Sequence, residues 1–212
     1  MKTTLVYDNE VYEKGLEAGW GFSCVIDVKN TPRILFDTGG DGKILLRNME
    51  KLGITPESID EIFISHPHWD HTGGLNDLLR VNKKVKLYVP PSYHPPEAGE
   101  VIRVREATQI HENIYSTGEL DGIEQSMAVK TGKGIALIVG CSHPRMEHIL
   151  SAASKFGKIY AIIGGLHGFS EYGLFKDLEL ICPTHCTQYK SEIKRIYPGK
   201  CIDGGVGKII TL

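Results

Sequence analysis

Three histidines and one aspartate lie close together in the segment that follows a short apolar run. They are His66, His68, Asp70 and His71. Imidazole and carboxylate groups are the ligands that zinc, iron and manganese accept in proteins. Side chains at positions 66 and 68 leave an extended chain on the same side, so both can hold one ion. Asp70 and His71 follow where the chain turns into a helix and can face a second ion. A solvated histidine-rich loop is the alternative, but four ligand types directly after an apolar strand favour a metal site.

The elements before and after this cluster predict how it is positioned. The apolar run Glu61–Ser65 predicts the strand that carries it. Alternating or continuous apolar residues predict further strands, and helical spacing predicts helices at Lys43–Leu52 and Leu75–Leu79. The strands predicted in this half are Thr3–Tyr7, Phe22–Val28, Arg33–Phe36 and Lys86–Val89. Pro90–Thr108 is rich in proline, charge and glycine, which predicts a surface loop.

The last third of the chain places a histidine after each of three predicted strands. Strands are predicted at Gly134–Val139, Ile159–Ile163 and Leu178–Cys182, with helices at Pro144–Phe156 and around Leu174–Leu178 between them. Two more strands are predicted at Thr108–Tyr115 and Ser126–Lys130. Ligands of open α/β sheets bind beyond the carboxyl ends of the strands. We therefore expect six polar residues to meet at one edge: Asp37, His66, His68, His143, His167 and His185.

Size and composition limit the classes of protein that fit. The chain has 212 residues, 41% of them hydrophobic and 24% charged, which predicts one globular domain over residues 1–212. The net charge of −2 argues against nucleic-acid binding. No apolar run approaches the ~20 residues of a membrane span, and no signal peptide is recognisable. Five cysteines form no even disulfide framework. We expect a cytoplasmic protein with reduced thiols that acts on a small molecule; homo-oligomer formation stays open.

Five segments together resemble the metallo-β-lactamase fold hydrolases. They are Phe36–Gly40, the histidine-aspartate cluster from His66 to His71, Gly140–His143, Gly164–His167 and Cys182–Thr187. The resemblance spans roughly residues 3–207 and implies an α/β fold, a four-layer αββα sandwich with a dinuclear metal site at the sheet edges. Within that superfamily the segments look like the branch named 7,8-dihydropterin-6-yl-methyl-4-(β-D-ribofuranosyl)aminobenzene 5′-phosphate synthase. This chain is short for that branch, chiefly between Gly74 and Thr108.

The resemblance also implies roles for individual residues. His66 and His68 would bind metal 1, whereas Asp70 and His71 would bind metal 2 together with a late histidine. We favour His185 as that ligand and His167 as the acid that protonates the leaving group. The reverse assignment of the two stays open.

Two departures from the family pattern concern metal 1. The usual third-motif histidine is missing, and Glu119 lies near its place; the bridging aspartate is replaced by Cys141. We expect His143 to complete metal 1, with Cys141 or Glu119 as an auxiliary ligand. A thiolate ligand would favour zinc. The alternatives are a small buried cysteine that ends a strand and a solvated hairpin carboxylate.

Two further residues are candidates beside the metals. Asp37 could accept the free ring N–H of a metal-binding histidine and fix its tautomer, or it could only cap the turn that follows it. Arg145 could hold a phosphate or carboxylate of the substrate; the alternative is a helix residue with its head in water.

The expected chemistry is hydrolysis of a small-molecule phosphoester, ester or related bond by a hydroxide that bridges two divalent ions. Zinc is favoured over iron or manganese, with Asp70 and His167 as catalytic residues. One alternative is the pterin-condensing synthase, a transferase that releases pyrophosphate. Another is a non-catalytic metal or redox sensor, which Cys141, Cys182 and Cys186 motivate. A nuclease would need a basic arm, and an electron-transferring diiron protein would need a flavin domain; neither is visible.

Overall fold

A computed structural model describes residues 1–96 and 99–212 and contains two mixed β-sheets. The first sheet has seven strands in the order β13-β1-β2-β3-β4-β5-β6. Strands β3 to β6 are parallel to one another, whereas β13, β1, β2 and β3 pair antiparallel. Its strands are β1 (Lys2–Tyr7), β2 (Ser23–Asp27), β3 (Ile34–Phe36), β4 (Glu61–Phe63), β5 (Lys86–Val89), β6 (Glu100–Arg103) and β13 (Ile209–Thr211).

The second sheet has six strands in the order β12-β11-β10-β9-β8-β7. Strands β10, β11 and β12 are parallel, and β7 to β10 form an antiparallel meander. Its strands are β7 (Glu106–His111), β8 (Ile114–Gly118), β9 (Met127–Thr131), β10 (Gly134–Val139), β11 (Ile159–Gly165) and β12 (Leu180–Thr184).

Helices cover the outer face of each sheet, which gives the predicted four-layer α/β sandwich. The α-helices are α1 (Gly42–Lys51), α2 (Trp69–Thr72), α3 (Leu75–Val81), α4 (Met146–Ser154) and α5 (Lys190–Ile196), with 3-10 turns at Pro56–Ser58 and Tyr172–Phe175. Between the sheets lies a buried core in which the rings of Phe36 and Phe63 stack at 5.3 Å. Leu45 and Met49 of α1 pack on the outer face of the first sheet, and Ile149 of α4 packs on the second.

Two predictions of local structure were wrong, and two elements were missed. The segment Pro90–Thr108, predicted as a loop, contains β6 and the start of β7; positions 97 and 98 lie outside the described residues. The single strand predicted over Thr108–Tyr115 is the hairpin β7–β8, which turns at Asn113 with a φ of 65°. Helix α5 and strand β13 were not predicted. No helix in the described part of the chain has both the length and the apolar character to cross a membrane.

Candidate metal centre

Polar side chains from both sheets meet where the parallel strands end. Because β3, β4 and β10 to β12 all finish at this edge, the residues that follow them approach one another. The rings of His66 after β4 and His143 after β10 have centroids 4.8 Å apart, so the two sheets share one site. The residues at these ends are Asp37, His66, His68, Cys141, His143, His167 and His185.

Four of the strand ends have a left-handed backbone. The φ angles are 55° at Asp37, 62° at Ser142, 43° at His167 and 46° at His185. A non-glycine residue in this region costs on the order of 1–3 kcal/mol, and such residues concentrate at functional sites. The backbone therefore marks this edge independently of the side chains.

The first group of ligand atoms comes from His66, His68 and His143. Their ring centroids are 4.6 to 4.8 Å apart, and one ligand atom from each lies within 4.8 Å of the others. The Nε2 atoms of His66 and His143 are buried and have no hydrogen-bond partner among the described residues. Buried ring nitrogens without a partner are rare, and a cation bound between them would satisfy both.

The second group consists of Asp70, His71 and His185. Oδ2 of Asp70 lies 3.2 Å from Nε2 of His185 and 4.0 Å from Nε2 of His71. The exposed indole of Trp20 donates its Nε1–H to the same oxygen at 3.0 Å, which fixes the orientation of the carboxylate. Nε2 of His185 is buried and makes no hydrogen bond within the described residues, although it approaches Asp70.

Cys141 lies between the two groups. Its Sγ is 3.1 Å from Nε2 of His71, and it forms a compact set of ligand atoms with His66 and His71. The residue is buried, with 3% of its surface exposed. A sulfur here could contact cations in both groups. Imidazole, carboxylate and thiol are the donor set of zinc sites, so the residues fit a divalent cation of this kind.

Asp37 holds a residue of each group in place. Its Oδ2 accepts from Nδ1 of His71 at 2.7 Å and from the hydroxyl of Ser65 at 2.7 Å, and its Oδ1 accepts from the Ser65 amide. The Ser65 hydroxyl also contacts Nδ1 of His66 at 2.8 Å. Because Nδ1 of His66 and Nδ1 of His71 make these hydrogen bonds, Nε2 of both rings faces the centre.

We expect Asp37→Asn to weaken zinc binding by about 10- to 100-fold, the range seen when the hydrogen-bond acceptor of a metal-binding histidine is lost. Both oxygens of Asp37 accept hydrogen bonds, whereas asparagine replaces one of them with an NH2 group that can only donate. The ring of His71 therefore loses its orientation. Competition with a chromogenic chelator measures the change. Asp203→Asn is the matched control, because Asp203 is exposed and pairs with Lys194. An equal loss in both variants would contradict the role of Asp37.

A second set of hydrogen bonds orients His185. Nδ1 of this ring contacts Oδ1 of Asn9 at 2.9 Å, and the His185 amide donates to Oδ1 of the buried Asp8 at 2.9 Å. The Asn9 amide also donates to Asp8, at 2.6 Å. Burial raises the pKa of Asp8. The loop after β1 therefore determines which nitrogen of His185 faces the centre.

Glu124 holds the turn after β10. Its Oε1 accepts from the amides of Gly140, Cys141 and Ser142 at 3.0 to 3.1 Å, and its Oε2 accepts from the His143 amide at 2.9 Å. The side chain is 1% exposed, and burial raises its pKa. One carboxylate thus fixes the backbone that carries two candidate ligands.

The electrostatics of the site favour neutral imidazoles at three positions and an ionised aspartate beside them. Burial and the neighbouring imidazoles lower the pKa of His66, and burial lowers the pKa of His143 to about 4. Burial also lowers the pKa of His185. For His71 burial is the largest influence and acts in the same direction, but the carboxylates around it, Asp37 foremost, together outweigh burial and raise the pKa. Burial would raise the pKa of Asp70, yet its contacts with the imidazoles hold it at about 2. Neutral imidazole and ionised carboxylate are the forms that bind cations.

We expect the metal-free protein to lose stability as the pH falls from about 7 to about 4. His66, His143 and His185 have folded pKa values below the ordinary 6.5, so the unfolded chain takes up protons first in this window. The raised pKa of His71 opposes this trend but concerns one ring against three. Calorimetry in the presence of a chelator measures the fall in Tm. In a second series without chelator, saturating zinc should make the fall larger, because the cation binds the neutral rings and is lost as they are protonated. A flat Tm across the window would contradict the assignment of neutral rings.

A cavity of about 350 Å³ opens beside the first group. His143, His167 and Arg145 line it, and the centroids of the two imidazoles are 5.1 Å apart. Exposed His167 belongs to neither the first nor the second group, and its ring lines this cavity. The Arg145 guanidinium contacts His148, whose ring contacts Asp121 at 3.0 Å, so the head is held at the surface rather than free in water.

One predicted residue is not brought to the centre. Glu119 accepts a hydrogen bond from the Ser92 amide at 2.8 Å and joins none of the ligand groups found among the described residues. Of the two expectations for Glu119, an auxiliary ligand of metal 1 or a hairpin carboxylate away from the metals, this contact fits the second. Strand β8 ends at Gly118, and the carboxylate faces the segment after β5. Trp20 and Glu124 were missed; neither has a motif or spacing that could have indicated its contact.

Comparisons with known proteins agree with the fold. Residues 21–153 match the family described as Metallo-beta-lactamase superfamily. The 7,8-dihydropterin-6-methyl-4-(beta-D-ribofuranosyl)-aminobenzene-5′-phosphate synthase of Methanocaldococcus jannaschii is 28% identical over 278 aligned positions, which cover 94% of this chain and 95% of that protein. The alignment is longer than this chain, so the relative carries segments that this chain lacks.

Two solved structures show the same architecture. Tm1679, a metal-dependent hydrolase of the beta-lactamase superfamily, superposes with a TM-score of 0.81 at 23% identity and covers 100% of this chain and 99% of its own. A diphosphatase from the PhnP family superposes with a TM-score of 0.67 at 15% identity, with 100% and 97% covered. At these identities the likeness concerns the fold alone.

Proposed function

Because the chain belongs to the metallo-β-lactamase superfamily, we propose that it is a dinuclear metal-dependent hydrolase of a small-molecule phosphoester, ester or related bond. The observation that carries this proposal is the pair of ligand groups at one edge, with Cys141 between them. His66, His68 and His143 would hold one cation, and Asp70, His71 and His185 the other. Two bound divalent cations lower the pKa of water and stabilise charge on the attacking and leaving oxygens.

The residues around the cations supply the remaining functions. His167 faces the cavity beside His143, so its ring can donate a proton to the leaving group. Arg145 lines the same cavity and would meet an anionic part of the substrate. A volume of about 350 Å³ is in the range of small-molecule pockets, which supports a small substrate rather than a polymer.

The second candidate is the pterin-condensing synthase. It is favoured by the relative from Methanocaldococcus jannaschii, which matches over nearly the full length of both chains. In that reaction the centre would stabilise a departing pyrophosphate, and water would not be the nucleophile. A nitrogen nucleophile of an arylamine would take its place.

The test begins with metal-free protein reloaded with zinc, iron or manganese. Bis(p-nitrophenyl) phosphate and p-nitrophenyl esters report hydrolysis, and pyrophosphate release from a pterin pyrophosphate with an arylamine reports the synthase. We expect hydrolysis by the wild type, and His68→Ala to lose one cation and at least about 10²-fold in rate. His94→Ala is the control, because His94 is an exposed histidine outside the ligand groups. Pyrophosphate release without hydrolysis would favour the synthase. If no metal supports any turnover, the protein would be a non-catalytic metal or redox sensor instead of an enzyme.

A further inference from the structure

A third set of ligand atoms lies beside the two groups and shares one residue with them. Sγ of Cys141 and Sγ of Cys186 are 3.2 Å apart, and a ring nitrogen of His167 completes a set whose members lie within 4.8 Å of one another. Cys186 belongs to neither the first nor the second group. It follows His185 and is partly buried.

Three adjacent parallel strands bring these residues together. Cys141 follows β10, His167 follows β11, and Cys186 follows β12. Gly165 at the end of β11 makes the contact of the thiols feasible. A Cβ at this position would lie 2.8 Å from Sγ of Cys186, closer than a side chain tolerates, and 3.3 Å from Cα of Cys141, a tight contact.

We propose that Cys141, Cys186 and His167 form a third cation site that takes a thiophilic ion such as Zn²⁺, Cd²⁺ or Cu⁺. Two sulfurs and one imidazole are a soft donor set, in contrast to the imidazole and carboxylate set of Asp70, His71 and His185. Binding of a divalent ion releases one proton from each thiol to solvent, so the two thiolates balance its charge. No electrons are transferred.

The distances fit a shared ion better than a disulfide. A disulfide requires the sulfurs to lie about 2.0 Å apart, whereas a tetrahedral zinc with bonds of about 2.3 Å separates two sulfurs by about 3.8 Å. The observed distance between the two sulfurs is 3.2 Å. It must grow by about half an ångström to hold a zinc ion but shrink by about twice that to form a disulfide. His167 is exposed, so an ion can enter from solvent.

Cadmium titration of the full-length protein under reducing conditions tests the site. Equilibrium dialysis gives the number of bound ions, and the ultraviolet absorption of cadmium–thiolate bonds reports the sulfurs. We expect Cys186→Ser to bind one ion fewer than the wild type and to lose about half of the absorption. His167→Ala should weaken the third ion at least about tenfold without changing the number of thiols. Cys201→Ser, which alters a buried cysteine outside the three groups, should match the wild type.

Wild-type stoichiometry and absorption in Cys186→Ser would overturn the proposal. A Cys141–Cys186 disulfide that survives the reductant, detected by mass spectrometry of a digest, would overturn it as well. Failure of the dinuclear centre is distinguishable, because His68→Ala should lose an ion but keep the contribution of Cys186 to the absorption. If His68→Ala keeps all of its ions while Cys186→Ser loses one, the third site stands and the dinuclear assignment fails.

Discussion

Replacing His167 with alanine is expected to lower kcat for substrates with a basic leaving group by about 10²–10⁴-fold, while the six ligands of the two groups keep their cations. The reason is its position: the ring faces the cavity beside His143 and joins neither the first nor the second group. Loss of a proton donor affects basic leaving groups most. The variant should therefore hydrolyse an alkyl ester poorly and a p-nitrophenyl ester almost normally, in protein supplied with no more than two equivalents of metal so that the third site stays empty.

His185→Ala is the matched comparison. Its Nε2 lies 3.2 Å from Asp70, so this variant should lose one cation and turn over both kinds of substrate poorly. Metal analysis by mass spectrometry distinguishes the two variants. If His167→Ala loses a cation and His185→Ala keeps both, the two histidines exchange roles. Because proton transfer and the third site use the same imidazole, excess cadmium should inhibit the wild type more than Cys186→Ser.

Glu124→Ala should lower the free energy of unfolding by at least about 3 kcal/mol, since four amides lose their acceptor in a buried place. For a chain of this size that corresponds to a fall in Tm of roughly 6–12 °C. The first group should lose its cation as well, because the Glu124 carboxylate fixes the backbone of His143. Calorimetry and metal analysis measure both effects.

Two further variants make the role of Glu124 specific. Glu124→Gln keeps the shape and one acceptor oxygen, so the loss should be smaller. Glu119 lies in the same region, is partly exposed and accepts one hydrogen bond from an amide. Glu119→Ala should therefore lower the free energy of unfolding by no more than about 1 kcal/mol. A Tm for Glu124→Ala equal to that of Glu119→Ala would contradict the claim that the carboxylate organises the turn.

The ends of the inner strands could be predicted because local signals agree there. Apolar runs such as Ile159–Ile163 lead directly to glycine and then to a ligand type, and parallel strands must end at one edge. That logic predicted the convergence of His66, His143 and His185. It did not decide which residues form which group, since that depends on the angle between two sheets.

The rest depends on contacts that leave no local pattern. Strands β6 and β7 are edge strands whose residues are mostly exposed, so no alternation of apolar residues indicates them. Glu124 accepts hydrogen bonds from amides 16 to 19 residues away. Because every residue except proline has a backbone N–H, the sequence does not indicate which amides a carboxylate will meet. Asn9 meets His185 across 176 positions. Such pairs follow from the closed fold, not from spacing.

The left-handed turns also bear on how this protein could evolve. Glycine would relieve the torsional cost at His167 or Ser142, and each relief is on the order of 1–3 kcal/mol. Laboratory selection for heat resistance alone should therefore drift toward glycine or asparagine at these turns. Selection for turnover should hold His167 and leave Ser142 the freer of the two. The conflict between stability and turnover is thus located at single residues, and sequencing the selected variants at these positions would reveal it.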